Sequence, residues 1–220
     1  MAVLDDRSGT ETVLDAARFL LGTLSGRRET RPLRDAVREL LQPLKDAHEA
    51  ALSAKEAAVE KYGALVGADL DVDQRLRTLE LDLLRLVQKN RRDARYTSVF
   101  PRGLGKVLAL RGAAEEREVK AVLQALRRVA PDLAESYGDL AELAAAATAA
   151  EREWLDAQTA ASRLFAEEVV ARLKLVRQIQ KTEGALIALY PGQKGRVRAF
   201  FRPARRTRKA DASAPPPEPA

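Results

Sequence analysis

The chain has 220 residues, no cysteine, one histidine, and 38 lysines and arginines against 32 aspartates and glutamates, for a formal net charge of +6. Those counts exclude disulfides, thiolate nucleophiles, cysteine metal centres, and any zinc site or catalytic triad built on several histidines. Hydrophobic residues make up 46% and aromatics 5%. Alanine, leucine, arginine and glutamate dominate, β-branched and aromatic residues are sparse, and an all-α fold is the expectation.

The first residues, Met1-Ala2-Val3-Leu4-Asp5-Asp6, carry early acids and no apolar run, unlike a secretory signal. The longest alanine-rich apolar stretch, Leu143 to Ala150, falls far short of the roughly 20 residues that a membrane span needs. A cytoplasmic protein with no transmembrane segment is expected.

Ser8-Gly9-Thr10-Glu11 has the spacing of a capping box. It predicts a short helix with Val13, Leu14, Ala17, Leu20, Leu21 and Leu24 on one face and a stop at Gly26. Thr30 reads as the next cap, with Pro32 in the first helical turn. From Leu33 an apolar stripe runs through Val37, Leu40, Leu44, Ala47, Ala51, Ala54, Ala58, Tyr62 and Leu65 in steps of mostly four and three. Pro43 interrupts it and predicts a kink or boundary. Gly67 reads as a C-terminus and Asp71 or Asp73 as a new start, so a helical hairpin should turn at 67–73. Leu76, Leu79, Leu83 and Leu86 carry the second arm to about Ser98, and Pro101, Gly103 and Gly105 then break the helix.

The second half repeats the plan. A short helix over about 114–130 carries Val119, Val122, Leu126 and Val129 and ends at Pro131, after which Leu133, Tyr137, Leu140, Ala144 and Ala147 resume a stripe that runs to Tyr190. Phe100-Pro101 and Tyr190-Pro191 lie 90 residues apart, as do Gly105-Lys106-Val107 and Gly195-Arg196-Val197, and as do Leu83, Leu86 and Gln88 from Leu173, Val176 and Gln178. This internal match predicts a tandem duplication and places a second reversal near 157–163, capped by Ser162. The expected fold is an all-α antiparallel bundle built from two tandem-duplicated helical hairpins, at 44–98 and 132–190. In domain terms, 1–29 is an N-terminal segment with a short helix, 30–112 and 113–203 are the two repeats, and 204–220 is a disordered tail, basic and then rich in proline and alanine.

Four features resemble sites and read more simply as structure. His48 has no second histidine and no glutamate three residues before it, so it is no di-metal ligand and belongs at a surface or bundle edge. Asp69, Asp71, Asp73 and Glu80 occupy calcium-loop positions one, three, five and twelve, but position six is Gln74 where the loop requires glycine; the acids read as helix N-terminal charges. The glycines at 103, 105, 192 and 195 match neither nucleotide-binding fingerprint and read as helix breaks. Trp154 reads as a core or interface anchor. Catalytic, cofactor and metal sites are therefore not expected.

Positive charge gathers in two stretches. One holds Lys89, Arg91, Arg92, Arg95, Arg102, Lys106 and Arg111 against Asp93 alone; the other holds Lys194, Arg196, Arg198, Arg202, Arg205, Arg206, Arg208 and Lys209 with no acid. If both hairpins stack in the same sense, the stretches share one pole. That pole is the candidate binding surface for nucleic acid, with Phe200 and Phe201 available for stacking, or for an anionic membrane surface. The competing reading has Val197, Phe200 and Phe201 closing the bundle end beneath solvated arginines. The leading functional expectation is a non-enzymatic interaction or scaffold protein that binds a protein partner or itself.

Overall fold

A computed structural model describes residues 4, 5 and 7–201. Every regular element among them is helical: α1 (Thr10–Leu24), a 3-10 turn (Arg28–Thr30), α2 (Arg31–Leu86), α3 (Ala94–Val99), α4 (Leu104–Val107), α5 (Gly112–Val129), α6 (Pro131–Ser136), α7 (Leu140–Leu189) and α8 (Lys194–Ala199). No described helix is long and apolar enough to cross a membrane. The predicted tail at 204–220, with Arg205, Arg206, Arg208 and Lys209, lies outside the described residues, as does Arg202.

The chain divides into two compact units, the first made of 1–49 with 165–220 and the second of 50–164. Each takes the opening of one expected repeat and the ending of the other.

In the first unit the predicted face of α1 is buried through Val13, Leu14, Ala17, Leu20 and Leu24. It clusters with Val37, Leu41 and Leu44 of α2 and with Leu175, Val176, Ile179 and Leu186 of α7. Tyr190, Val197 and Phe200 close this core. Thr30 is fully buried and donates its hydroxyl proton back to the Leu24 carbonyl at 2.7 Å, tying the end of α1 to the start of α2 rather than capping α2. The expected capping box does not form. Gly9 is the N-cap with no side-chain bond; the Ser8 hydroxyl donates to Asp5 at 3.0 Å, and Glu11 turns to His48.

In the second unit, Val72, Leu76, Leu79, Leu83 and Val87 meet Val119, Val122, Leu123 and Leu126 of α5. Ala134, Tyr137, Leu140, Ala144 and Ala147 supply the α6–α7 side, and Tyr96, Val99, Phe100, Leu104 and Val107 the α3–α4 side. Tyr137 donates its phenolic proton to Asp82 at 2.6 Å while Arg75 lies over its ring at 4.2 Å. Burial first, and then the bond to Asp82, push the Tyr137 hydroxyl up to about 12, against the opposing charge of Arg75.

Several sequence expectations need correction. Neither reversal occurs: α2 is continuous through 67–73, and α7 is continuous through 157–163. The premise of two folded-back hairpins therefore fails at both bends. The physical reason lies in the phase of the core stripe. Leu65, Val72, Leu76, Leu79 and Leu83 are all buried at spacings of seven, four, three and four, so the buried face runs unbroken past Gly67, which is itself exposed. A single helical glycine costs only about 1 kcal/mol against alanine. Pro43 marks no boundary either. It sits at an exposed position, where water can satisfy the carbonyl one turn before it.

The real end of α2 is at Leu86, not near Ser98. Gln88 and Lys89 adopt positive φ of 52° and 64°, and Lys89 N–H donates to the Leu84 carbonyl at 2.6 Å. This six-to-one bond is a helix-ending Schellman turn made without glycine. The 90-residue register also fails there, since Leu86 is 47% exposed and Val176 only 1%. Toward the ends, burial and helix starts do coincide at that spacing: Phe100 and Tyr190 are both buried, as are Val107 and Val197, and α4 and α8 begin 90 residues apart at Leu104 and Lys194.

Candidate functional site

The two basic stretches fall in different units, residues 88–111 in the second and 194–201 in the first. A single joint pole depended on the two reversals, and continuous α2 and α7 remove that premise.

In the second unit most of the predicted cations are already matched by acids. Arg91 pairs with Glu80 at 3.3 Å, Arg95 with Asp93 at 3.1 Å, Arg102 with Glu118 at 3.4 Å, and Arg111 with Asp69 at 3.1 Å. Asp93 also caps α3 by accepting from the Arg95 backbone N–H, and its hydrogen bonds from Arg95 hold its carboxyl below the usual range. Lys89, Arg92 and Lys106 are exposed and make no ion pair among the described residues. Beside them opens a recess of about 530 Å³ lined by Arg77, Glu80, Arg91, Tyr96, Gly103 and Gly105. Glu80 spends its charge inside it, pairing Arg91 and accepting from the Tyr96 hydroxyl at 2.5 Å. Burial first and that bond second push Tyr96 up to about 12.

In the first unit Val197 and Phe200 are buried and belong to the core. Tyr190 and Phe200 stack with centroids 6.0 Å apart, Arg196 lies 3.9 Å over the Tyr190 ring, and Arg27 sits 5.3 Å from Phe200. Rings sealed in this way offer no free face for a base or a lipid chain, and the cations over them are held by the quadrupole of the ring. Lys194 and Arg198 are exposed. Arg27 belongs to this end although sequence reasoning omits it. Its only signal is a pair of arginines, Arg27 and Arg28, just after Gly26, and no spacing rule joins that pair to Phe200.

Sequence reasoning also misses a buried cluster of charge in the second unit. Glu115, the fourth residue of α5, is 0% exposed, and neither of its carboxylate oxygens has a hydrogen-bond partner. Among the described residues its one opposing charge is Arg111, 4.0 Å away and already 3.1 Å from Asp69. Asp69 and Asp73 each keep one buried oxygen without a hydrogen-bond partner. Burial first, then the charge of Asp69, raises Glu115 to about 7, with Asp73 and Glu151 adding to the push and Arg111 opposing it. Burial likewise raises Asp69 above its ordinary range. Gly112 explains how Glu151 comes so close: a Cβ there would overlap the Glu151 Oε2, in the space the carboxylate fills. Asp69 and Asp73, expected as helix N-terminal charges, are thus mid-helix groups of α2 turned toward the start of α5. Among the described residues no group of three or more potential ligands has the arrangement to hold a metal ion.

In the first unit Arg172 keeps its Nε buried without a hydrogen-bond partner, whereas the cluster around Glu168 is partnered. Glu168, 6% exposed, accepts from the Thr10 hydroxyl at 2.6 Å and faces His48 Nδ1 at 2.9 Å, while His48 Nε2 faces Glu11 at 3.2 Å. His48, on α2, is half-buried and bridges α1 and α7. The Trp154 ring packs on Tyr62 with centroids 5.5 Å apart. No family model, curated protein or solved structure matches this chain.

Proposed function

We propose that this chain is a non-enzymatic helical interaction or scaffold protein, and that its contact face is the middle of α2. One observation carries the reading. Leu52, Val59, Tyr62, Val66 and Leu70 are between 40% and 64% exposed, and at 100° per residue they fall within an arc of about 80°. A run of large apolar side chains in water is unfavourable by about 25 cal/mol per Å², and contiguous patches of that kind mark contact surfaces more than solvated ones. The Leu52–Val59–Val66 spacing of seven suits a partner that is itself an amphipathic helix, either of another protein or of a second copy of this chain. A cytoplasmic location belongs to the same reading, supported by the cysteine-free composition.

Sedimentation of the full chain over a hundredfold concentration range, beside a photo-crosslinking side chain at Val59 in host cells, tests it. Either a mass that rises with concentration or a crosslink made from Val59 and not from exposed Lys120 is expected, and both should vanish in Val59→Glu/Leu70→Glu. A monomer throughout with no Val59 crosslink overturns the reading.

A second reading, contact with a nucleic acid, is favoured by one observation, the exposed Lys89, Arg92 and Lys106 without ion pairs among the described residues. Its test is a salt titration of binding to duplex and single-stranded DNA. Three phosphate contacts predict a slope of log K on log salt of about −2 to −3, and salt-independent or absent binding rejects it.

We also propose that the chain arose by tandem duplication, with the long helices in a register other than 90. At a spacing of 103, Val37, Leu41, Leu44, Val72, Leu76, Leu79 and Leu83 pair with Leu140, Ala144, Ala147, Leu175, Ile179, Thr182 and Leu186, and every member is buried. The two registers differ by 13 residues, which is the length of 87–99: α2 ends before an insertion made of the break and α3, whereas α7 runs directly into Tyr190-Pro191.

A further inference from the structure

The cluster around Glu115 is poorly suited to being a passive part of the core. Its position is fully buried, and the groups that face it are Asp69 and Asp73 from α2, Glu151 from α7, and Arg111 from the segment preceding α5. Four carboxylates against one guanidinium leave acceptors in excess of donors. The excess is visible in the oxygens without a hydrogen-bond partner: both of Glu115, one of Asp69 and one of Asp73. A buried acceptor without a donor is unfavourable, and a buried unpaired charge more so. The position of Glu115 in the first turn of α5 favours its anion through the helix dipole, but that gain is small beside complete burial among like charges.

Among the described residues no group of acids has the arrangement to hold a metal ion, and a proton is the group that would relieve the excess. Protonated Glu115 turns from acceptor into donor, and the acceptors short of a donor in the same cluster are Asp69 and Asp73.

We propose that Glu115 is a proton-controlled latch: neutral, it holds the start of α5 against α2 and α7 of the second unit, and ionised, it loosens that contact. The chemistry involves only the loss of the carboxyl proton to solvent. Below the transition the second unit is tightly closed. Above it, the first turns of α5 separate from the core while the apolar residues beyond, Val119 to Leu126, continue to hold the helix. The direction follows from linkage: the folded chain keeps the proton to about pH 7, the unfolded chain loses it near the ordinary value for glutamate, and stability falls as pH rises through that window.

Carbon-13 NMR of the full chain labelled at the glutamate carboxyl carbons, with Glu115 assigned by its loss in Glu115→Gln, reads the site directly. A midpoint near 7 is expected, and a midpoint below about 5, the ordinary glutamate range, overturns the proposal. Urea unfolding of the full chain gives the consequence. The unfolding constant should rise about ten- to hundredfold from pH 5 to pH 8 in excess of any rise in Glu115→Gln. If glutamine disturbs folding, Glu115→Val, which copies the valine at the fourth position of α1, takes its place. A variant that keeps the full pH dependence of the natural chain overturns the latch.

Discussion

The fourth residue of α1 is Val13 and the fourth residue of α5 is Glu115, and both are completely buried. The two units solve the same packing problem around them in opposite ways. In the first unit the buried carboxylate, Glu168, comes from α7 and is met by the hydroxyl of Thr10, one turn before the valine, and by an imidazole. In the second, the carboxylate occupies the core position itself and meets other carboxylates. A partnered buried acid rigidifies its surroundings, whereas an unpartnered one makes them responsive to protons. The difference teaches that similar helical frames acquire different sensitivities through a single core position.

The comparison breaks most severely if the first unit is given the charge of the second. Val13→Glu places a carboxylate in the core one turn from the Thr10–Glu168 pair, at a position that is completely buried. We expect a loss of about 3–5 kcal/mol at pH 8, read from urea unfolding and from amide exchange in α1. At pH 5 the loss should shrink, because the introduced carboxyl can be neutral when buried. A loss below about 1 kcal/mol at pH 8, the range of ordinary surface changes, would mean that the start of α1 admits water, and that Val13 and Glu115 occupy unlike environments.

Gly112→Ala sharpens the comparison from the other side. The glycine has φ +57°, and the added methyl would displace the Glu151 carboxylate. The left-handed backbone costs an alanine about 1–2 kcal/mol, so stability at pH 5 should fall by that amount. Displacement of Glu151 removes one of the charges that raise Glu115. The Glu115 midpoint should therefore move down while stability also falls, a combination that simple strain at the turn does not produce. An unmoved midpoint would show that Glu151 does not act on Glu115.

Much of the fold is legible in the sequence because it rests on apolar spacing. The α1 face, the breaks at Pro131 and Pro101 and the all-helical class follow from residue type and period alone. What misleads is the treatment of glycine and proline as sufficient punctuation. Gly67 and Pro43 both lie within α2, where the phase of Leu65, Val72 and Leu76 and the exposure of Pro43 outweigh local propensity. The actual end of α2 uses Gln88 and Lys89, which no breaker rule selects. The basic residues are legible as a composition, but their meaning is not. Pairings such as Arg91–Glu80 and Arg102–Glu118 cross 11 and 16 positions of sequence, and only the folded chain shows which cations are matched. Glu115 is invisible for the converse reason. It opens the charged run Glu115-Glu116-Arg117-Glu118, in which nothing local marks one acid as buried and the others as partly exposed. Only its neighbours from α2 and α7 reveal it.

The smallest expected effect concerns the two helix endings, and its sign is favourable. After α7 the turn Tyr190-Pro191-Gly192-Gln193 places its positive φ of 75° on a glycine, whereas α2 ends on Gln88 and Lys89 at 52° and 64°. A side chain in the left-handed region is unfavourable by about 1 kcal/mol relative to glycine, less the entropy that glycine loses on folding. Gln88→Gly should thus stabilise the second unit by about 0.5 kcal/mol, seen as a higher urea midpoint with an unchanged slope. Destabilisation instead would show that the Gln88 side chain holds the 87–93 break in place. That break would then be a specified joint between α2 and α3, and the two endings would differ in function as well as in sequence.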